Sequence, residues 1–173
     1  ELKELNDYHS ILLSPGPGIP NESGLLKTAI RHYAPSKTIL GICLGQQAIG
    51  EVFGGTLINL KKVYHGIATP IKIIKEDYLF KNLPKTFNVG RYHSWVVDTP
   101  LPKDLVATSF DEEGQLMSLR HIEYDVRAVQ YHPESNPGPQ DSHYLFNLFI
   151  KEIKKNKSNS LNVKCCFLFN IIL

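Results

Sequence analysis

The chain has 173 residues, 42% of them hydrophobic, with 19 basic against 17 acidic residues and a net charge of +2. That supplies apolar material for one buried core, so a single soluble domain is expected. No basic stripe interleaved with aromatics is present, which excludes nucleic acid as an expected partner. Three cysteines, two of them adjacent at Cys165 and Cys166, cannot make a disulfide framework, which points to a reducing compartment such as the cytoplasm. The longest apolar run, Cys165 to Phe169 and then Ile171 to Leu173, is far shorter than the roughly 20 residues of a membrane span, so no membrane association is expected. No signal peptide is visible, and Glu1 in place of methionine suggests a chain that lacks its true beginning.

In chain order, "SILLS" (Ser10 to Ser14) predicts a buried strand, Asn21 to Tyr33 a helix, Thr38 to Ile42 a strand and Gly45 to Phe53 a helix. This alternation predicts an α/β fold with an open, mostly parallel sheet and helices on its faces. The middle is richer in strands: Ala68 to Ile74, Phe87 to His93, Leu105 to Phe110, Gln115 to His121 and Val126 to His132. Turn chemistry at Asp111 to Gly114 and at Pro100 to Pro102 joins several of them. A last helix is expected over Ser142 to Lys155, with Tyr144, Leu145, Leu148, Phe149 and Ile153 on one face. No internal repeat is evident.

Three stretches carry chemistry. Gly41-Ile42-Cys43-Leu44-Gly45 sits where a strand turns into a helix, the layout of a nucleophile elbow. Glycines admit the tight backbone there, the helix N-terminus lies beneath the sulfur, and the Leu44 N–H points where an oxyanion would form. On this motif alone a buried structural cysteine is an equal alternative. In "VQYHPES", Pro133 biases His132 toward extended backbone, in which Glu134, two residues on, shares its face and can orient the imidazole. By itself this segment also fits an ordinary strand exit. His121 has an acid at the same spacing, Glu123, but in a polar connection that reads as a solvated hairpin end. His9, His32, His65 and His143 are taken as surface or core residues, with His93 a partial exception. In "SPGPGIP", Gly16 and Gly18 can bring backbone close to a ligand and offer a second oxyanion donor, while Pro15 and Pro17 stiffen the loop; a structural turn is the alternative. All three fall at C-terminal ends of predicted parallel strands, where open α/β sheets place their ligand crevice.

"SPGPGIP", "GICLGQQAIG", "RYHSW" and "VQYHPES", in this order and at these separations, resemble the class I glutamine amidotransferases, which hydrolyse glutamine to glutamate and pass ammonia to a synthase. The resemblance runs from about Ser10 to Lys155. It implies a flavodoxin-like sheet with an extra antiparallel region, Cys43 as the nucleophile that forms a glutamyl thioester, His132 as acid and base, and Glu134 as its orienter. It places oxyanion donors on the Gly16, Pro17 and Gly18 loop and on Leu44, and it assigns Gln47 and the backbone of Ser94 and Trp95 to holding the glutamine. "SPGPGxP", "RYHS" and His65-Gly66 are most similar to the glutaminase subunit of anthranilate synthase and to its relative serving aminodeoxychorismate synthase. Gln46 stands where many relatives have histidine and Trp95 where leucine is usual, and "SNPGPQDSHYLF" resembles the small chain of carbamoyl-phosphate synthase, a further alternative.

In the family an opening strand, loop and helix precede the residues that begin here. Residues 1–157 are therefore expected to be an N-terminally truncated amidotransferase domain with an unpaired sheet edge, and 158–173 a disordered tail. No phosphate-binding loop or metal-ligand cluster is present, so this chain is expected to need no cofactor or metal, and the ammonia must be used by a partner synthase. A docking module without catalysis would be marked by loss of Cys43, His132 or Glu134. A cysteine peptidase on a similar sheet would leave the Gly16 loop and "RYHS" unexplained.

Overall fold

The computed structural model describes residues 2–135, 144, 145, 147–149, 151 and 165–168. Among the described residues eight strands and two α-helices have defined bounds: β1 Ser10–Leu13, α1 Leu26–Tyr33, β2 Thr38–Ile42, α2 Leu44–Val52, β3 Leu57–Ile73, β4 Thr86–Val97, β5 Leu105–Asp111, β6 Leu116–His121, β7 Val126–Val129 and β8 Cys165–Leu168. Residues 144, 145, 147–149 and 151 are also helical. The strands form one sheet in the order β4-β3-β5-β6-β7-β2-β1-β8. β8, β1, β2 and β7 run parallel, and β6, β5, β3 and β4 continue the sheet antiparallel. The fold is the expected α/β class, with an antiparallel region larger than its sequence signal.

Alternation along the central strands buries both faces. Ile11, Leu13 and Ile39 enter one core with Leu26, Ala29, Ile30 and Tyr33 of α1 and Leu44, Ala48 and Ile49 of α2. Leu12, Leu40 and Ile42 enter the other, with Phe87, Val89, Met117, Tyr131, Leu145 and Phe149. Leu145, Leu148 and Phe149 of the last helical segment are buried as its spacing predicts, while Ile153 lies outside the described residues.

Several expected boundaries are corrected. The helix predicted from Asn21 is a 3-10 turn, Pro20–Glu22, followed by α1 from Leu26, because Gly24 adopts φ +51 between them. β3 begins at Leu57, well before Ala68, and β4 runs on past His93 to Val97; the two pair as a long ribbon with bulges between Asn59 and Tyr64 and between His65 and Ile67. Much of β3 is exposed on both faces, so it lacks the alternation that reveals a strand. β7 ends at Val129 rather than His132: Gln130 N–H still donates to the Met117 carbonyl (2.9 Å), but His132 N–H donates to Gly90 of β4 (2.9 Å). The chain thus swings from β6 towards β4 just where the site is built. Within the expected tail, Cys165–Leu168 pairs with β1 from Ser10↔Cys165 to Leu13↔Leu168, at the edge expected to be unpaired. Among the described residues no helix is long and apolar enough to cross a membrane.

Candidate active site

The elbow is present as predicted. Cys43 stands between β2 and α2 with φ 52 and ψ −102, a conformation that L residues rarely adopt. Its N–H donates to Val129 of β7 (2.8 Å) and its carbonyl accepts from Gln47 N–H (3.1 Å), so both sides of the strained residue are pinned. The flanking glycines are required by close approach: a Cβ on Gly41 would lie 2.7 Å from the Gly45 backbone, and one on Gly45 2.7 Å from the Leu13 carbonyl. The second contact also sets the end of β1 against the elbow.

Cys43 is 5% exposed. His132 approaches it from the β7 exit, with its ring edge-on to Tyr92 at 5.1 Å between centroids. His132 Nδ1 and Glu134 Oε1 are 2.7 Å apart, the partnership expected from sequence. It forms across a turn rather than along extended backbone, because Pro133 and Glu134 bend and Ser135 N–H donates back to the His132 carbonyl (3.1 Å). The outer nitrogen of His132, Nε2, is buried without a conventional hydrogen-bond partner. Burial lowers the pKa of this ring, but interactions with Cys43 and Glu134 outweigh it and push the value up to about 9. The imidazole therefore carries a proton at neutral pH.

The remaining expected site residues divide. Gln47 and Trp95 meet, with Gln47 Nε2 donating to the Trp95 carbonyl (2.9 Å), and Ser94 lies between Trp95 and the buried His93 on β4. Leu44 opens α2 directly after Cys43. Gly16 is half-buried at the end of β1, whereas Pro17 and Gly18 are exposed, with Gly18 at φ 74 against Glu22. Gln46, at the position where histidine is common, is buried and donates to Leu116 (3.5 Å). His121 is not a solvated hairpin end: it is buried, and its Nδ1 accepts from the backbone N–H groups of Glu123 and Tyr124.

Sequence reasoning missed a polar chain behind the site. Arg91, 1% exposed, donates to Asp111 (2.7 Å), Gln115 (2.5 Å) and His93 Nε2 (3.0 Å), and its guanidinium lies 3.4 Å above the Tyr64 ring. Burial and the Arg91 charge push His93 down to about 3, so it is neutral; with Nε2 accepting from Arg91, Nδ1 holds the proton that it donates to Trp95 (3.1 Å). The sequence signal was the i, i+2 placement of Arg91 and His93 on one strand face.

A family model described as glutamine amidotransferase class-I matches residues 1–152. Aminodeoxychorismate synthase component 2 of Klebsiella aerogenes is 41% identical over 138 residues, covering 79% of this chain and 73% of that protein. Anthranilate synthase component 2 of Lactococcus lactis is 37% identical over 153 residues, covering 87% and 77%. Among solved structures, a candidate GMP synthase subunit from Thermoplasma acidophilum superposes with a TM-score of 0.80 at 25% identity, covering 91% of this chain and 78% of that one. The chain belongs to the class I glutamine amidotransferase family.

Proposed function

We propose that this chain is a glutaminase component that hydrolyses L-glutamine through Cys43, His132 and Glu134 and delivers ammonia to a separate chorismate-using synthase. Anthranilate synthesis, and so tryptophan biosynthesis, is the first reading. The observation that carries it is a cysteine held at φ 52 on a glycine-flanked elbow beside an imidazole that a carboxylate orients at 2.7 Å.

The chemistry follows from that geometry. The Cys43 sulfur attacks the side-chain amide carbon of glutamine, and the oxyanion that forms is met by Leu44 N–H and the Gly16 loop. Protonated His132, held so by its partners, gives its Nε2 proton to the nitrogen as the C–N bond breaks, releasing ammonia and leaving a glutamyl thioester. Water then attacks the thioester while His132 takes a proton from it, and the C–S bond breaks to release glutamate and return the sulfur anion beside the protonated ring. Glu134, 44% exposed on its side chain, orients the ring and offsets its charge. Gln47 and the Ser94–Trp95 backbone line the place of the amino-acid end of the substrate.

Relatives named as second components of two chorismate-using synthases support a partner that uses the ammonia. The 41% identity to an aminodeoxychorismate synthase component keeps that acceptor as a second reading. The protein is to be mixed in turn with the chorismate-binding subunits of anthranilate and aminodeoxychorismate synthases, and glutamate release followed. Strong stimulation by the first is expected. Stimulation by the second alone would move the acceptor to the second reading, and full activity that neither partner changes would overturn the coupling.

A further inference from the structure

Gln130 lies between the apolar end of β7 and His132, is fully buried, and has no part in the chemistry derived above. Its side-chain Nε2 donates to the Cys43 sulfur at 3.6 Å, and its Oε1 accepts from Gln47 Nε2 at 3.3 Å. The orientation of both amides is determined by one atom. The Trp95 carbonyl can only accept, so the Gln47 end 2.9 Å from it must be the NH2 group. The second proton of that group requires an acceptor, so Gln130 turns its oxygen to Gln47 and its NH2 to the sulfur. The Trp95 carbonyl is itself held by the Nδ1 proton of His93 (3.1 Å), whose other nitrogen accepts from Arg91 (3.0 Å), which Asp111 anchors (2.7 Å). Six side chains and one carbonyl form an unbroken polar line from the buried ion pair to the nucleophile.

We propose that Gln130 is a further catalytic residue of this centre, an amide donor that fixes the Cys43 sulfur for attack and stabilises negative charge on it, with Arg91, His93 and Gln47 as the positioning residues that aim it. Cys43 sits on a strained turn, and besides His132 and Gln130 its polar neighbour is the Tyr92 carbonyl at 3.9 Å, an acceptor that does nothing for an anion. An N–H directed at the sulfur compensates for that. The backbone of the donor is held on both sides, its N–H by the Met117 carbonyl on β6 (2.9 Å) and the Val129 carbonyl of the same peptide unit by Cys43 N–H (2.8 Å). The proposal rests on the glutaminase reading for its consequence in turnover but not for its effect on the sulfur.

The test compares the wild type with Gln130→Met, which keeps size and loses the donor, and Gln130→Glu, which keeps the bond from Gln47 and turns a carboxylate oxygen to the sulfur. The first readout is the rate of Cys43 alkylation by iodoacetamide from neutral to alkaline pH, which needs no glutamine. The titratable and charged groups near the sulfur are His132 with Glu134 behind it, and on β4 Tyr92 and His93 with Arg91 and its partner Asp111. At neutral pH alkylation should fall about 10-fold in Gln130→Met and further in Gln130→Glu, with the pH profile moved upward. In glutamine hydrolysis kcat should fall by a similar factor while KM changes by less than about 2-fold. Equal alkylation profiles in the wild type and a folded variant would overturn the proposal. In the wild type the Gln130 side-chain amide resonance should shift when Cys43 is alkylated, and a resonance that does not move overturns the proposal even if neither variant folds. A wild type that is alkylated as described but hydrolyses no glutamine would refute the proposed function and leave the sulfur contact standing.

Discussion

At the residue scale the proposed chemistry depends on His132 holding a charge that burial alone would remove. Its folded pKa, about 9, lies above the ordinary 6.5, so the charged ring stabilises the folded chain. That contribution is complete below the ordinary value and is lost as pH rises through about 9. The stability advantage of the wild type over His132→Gln should accordingly be largest in mildly acidic buffer and shrink towards zero in strongly alkaline buffer. Urea denaturation across that range measures it, and an advantage that does not change with pH would show that the imidazole gains nothing from Cys43 and Glu134. The turn that holds Cys43 and the contact of His132 with Glu134 were legible because each lies in a short motif whose geometry is local. Gln130 was not, although it stands in the same "VQYHPES" stretch. Its partners Cys43 and Gln47 come from the β2–α2 corner, and only the tertiary fold shows that a glutamine closing an apolar strand faces a sulfur.

At the scale of elements the β2–elbow–α2 unit is the part in which sequence and structure agree best. Its apolar strand, glycine-flanked cysteine and helix are all set by neighbours in the chain. The same closeness makes it sensitive. Gly45→Ala would place a methyl group 2.7 Å from the Leu13 carbonyl, where neither backbone can yield cheaply. The expected cost is about 1–3 kcal/mol, or a melting temperature lower by several degrees. A Gly45→Ala protein with wild-type thermal and urea midpoints would mean that the elbow does not need its second glycine. The β3–β4 ribbon was the least legible element. Lys61, Lys62, Val63 and His65 are exposed, Gly66 takes φ 68, and two bulges interrupt the register, so the residues follow no period of two. Yet this ribbon carries Arg91, His93 and Trp95, whose hydrogen bonds run on to Gln47 of α2.

For the whole molecule, the parallel half of the sheet supplies the elbow, the β7 exit and the Gly16 loop at one end, and the antiparallel half brings in β4 from the opposite edge of the strand order. The site forms because the chain after Gln130 leaves β6 and His132 N–H bonds to Gly90, joining the two halves beside Cys43. The parallel half was readable from alternating strand and helix signals. The pairing of Cys165–Leu168 with β1 was not, since an apolar run after a lysine-rich segment has no local feature that names its partner strand. What the two halves together are proposed to do is hydrolyse glutamine with Cys43 as the nucleophile. The decisive measurement is glutamate release by Cys43→Ala beside the wild type, with the stimulating synthase subunit present. A loss on the order of 10³-fold or more is expected in a variant that folds normally. Turnover equal to that of the wild type would contradict the proposed function.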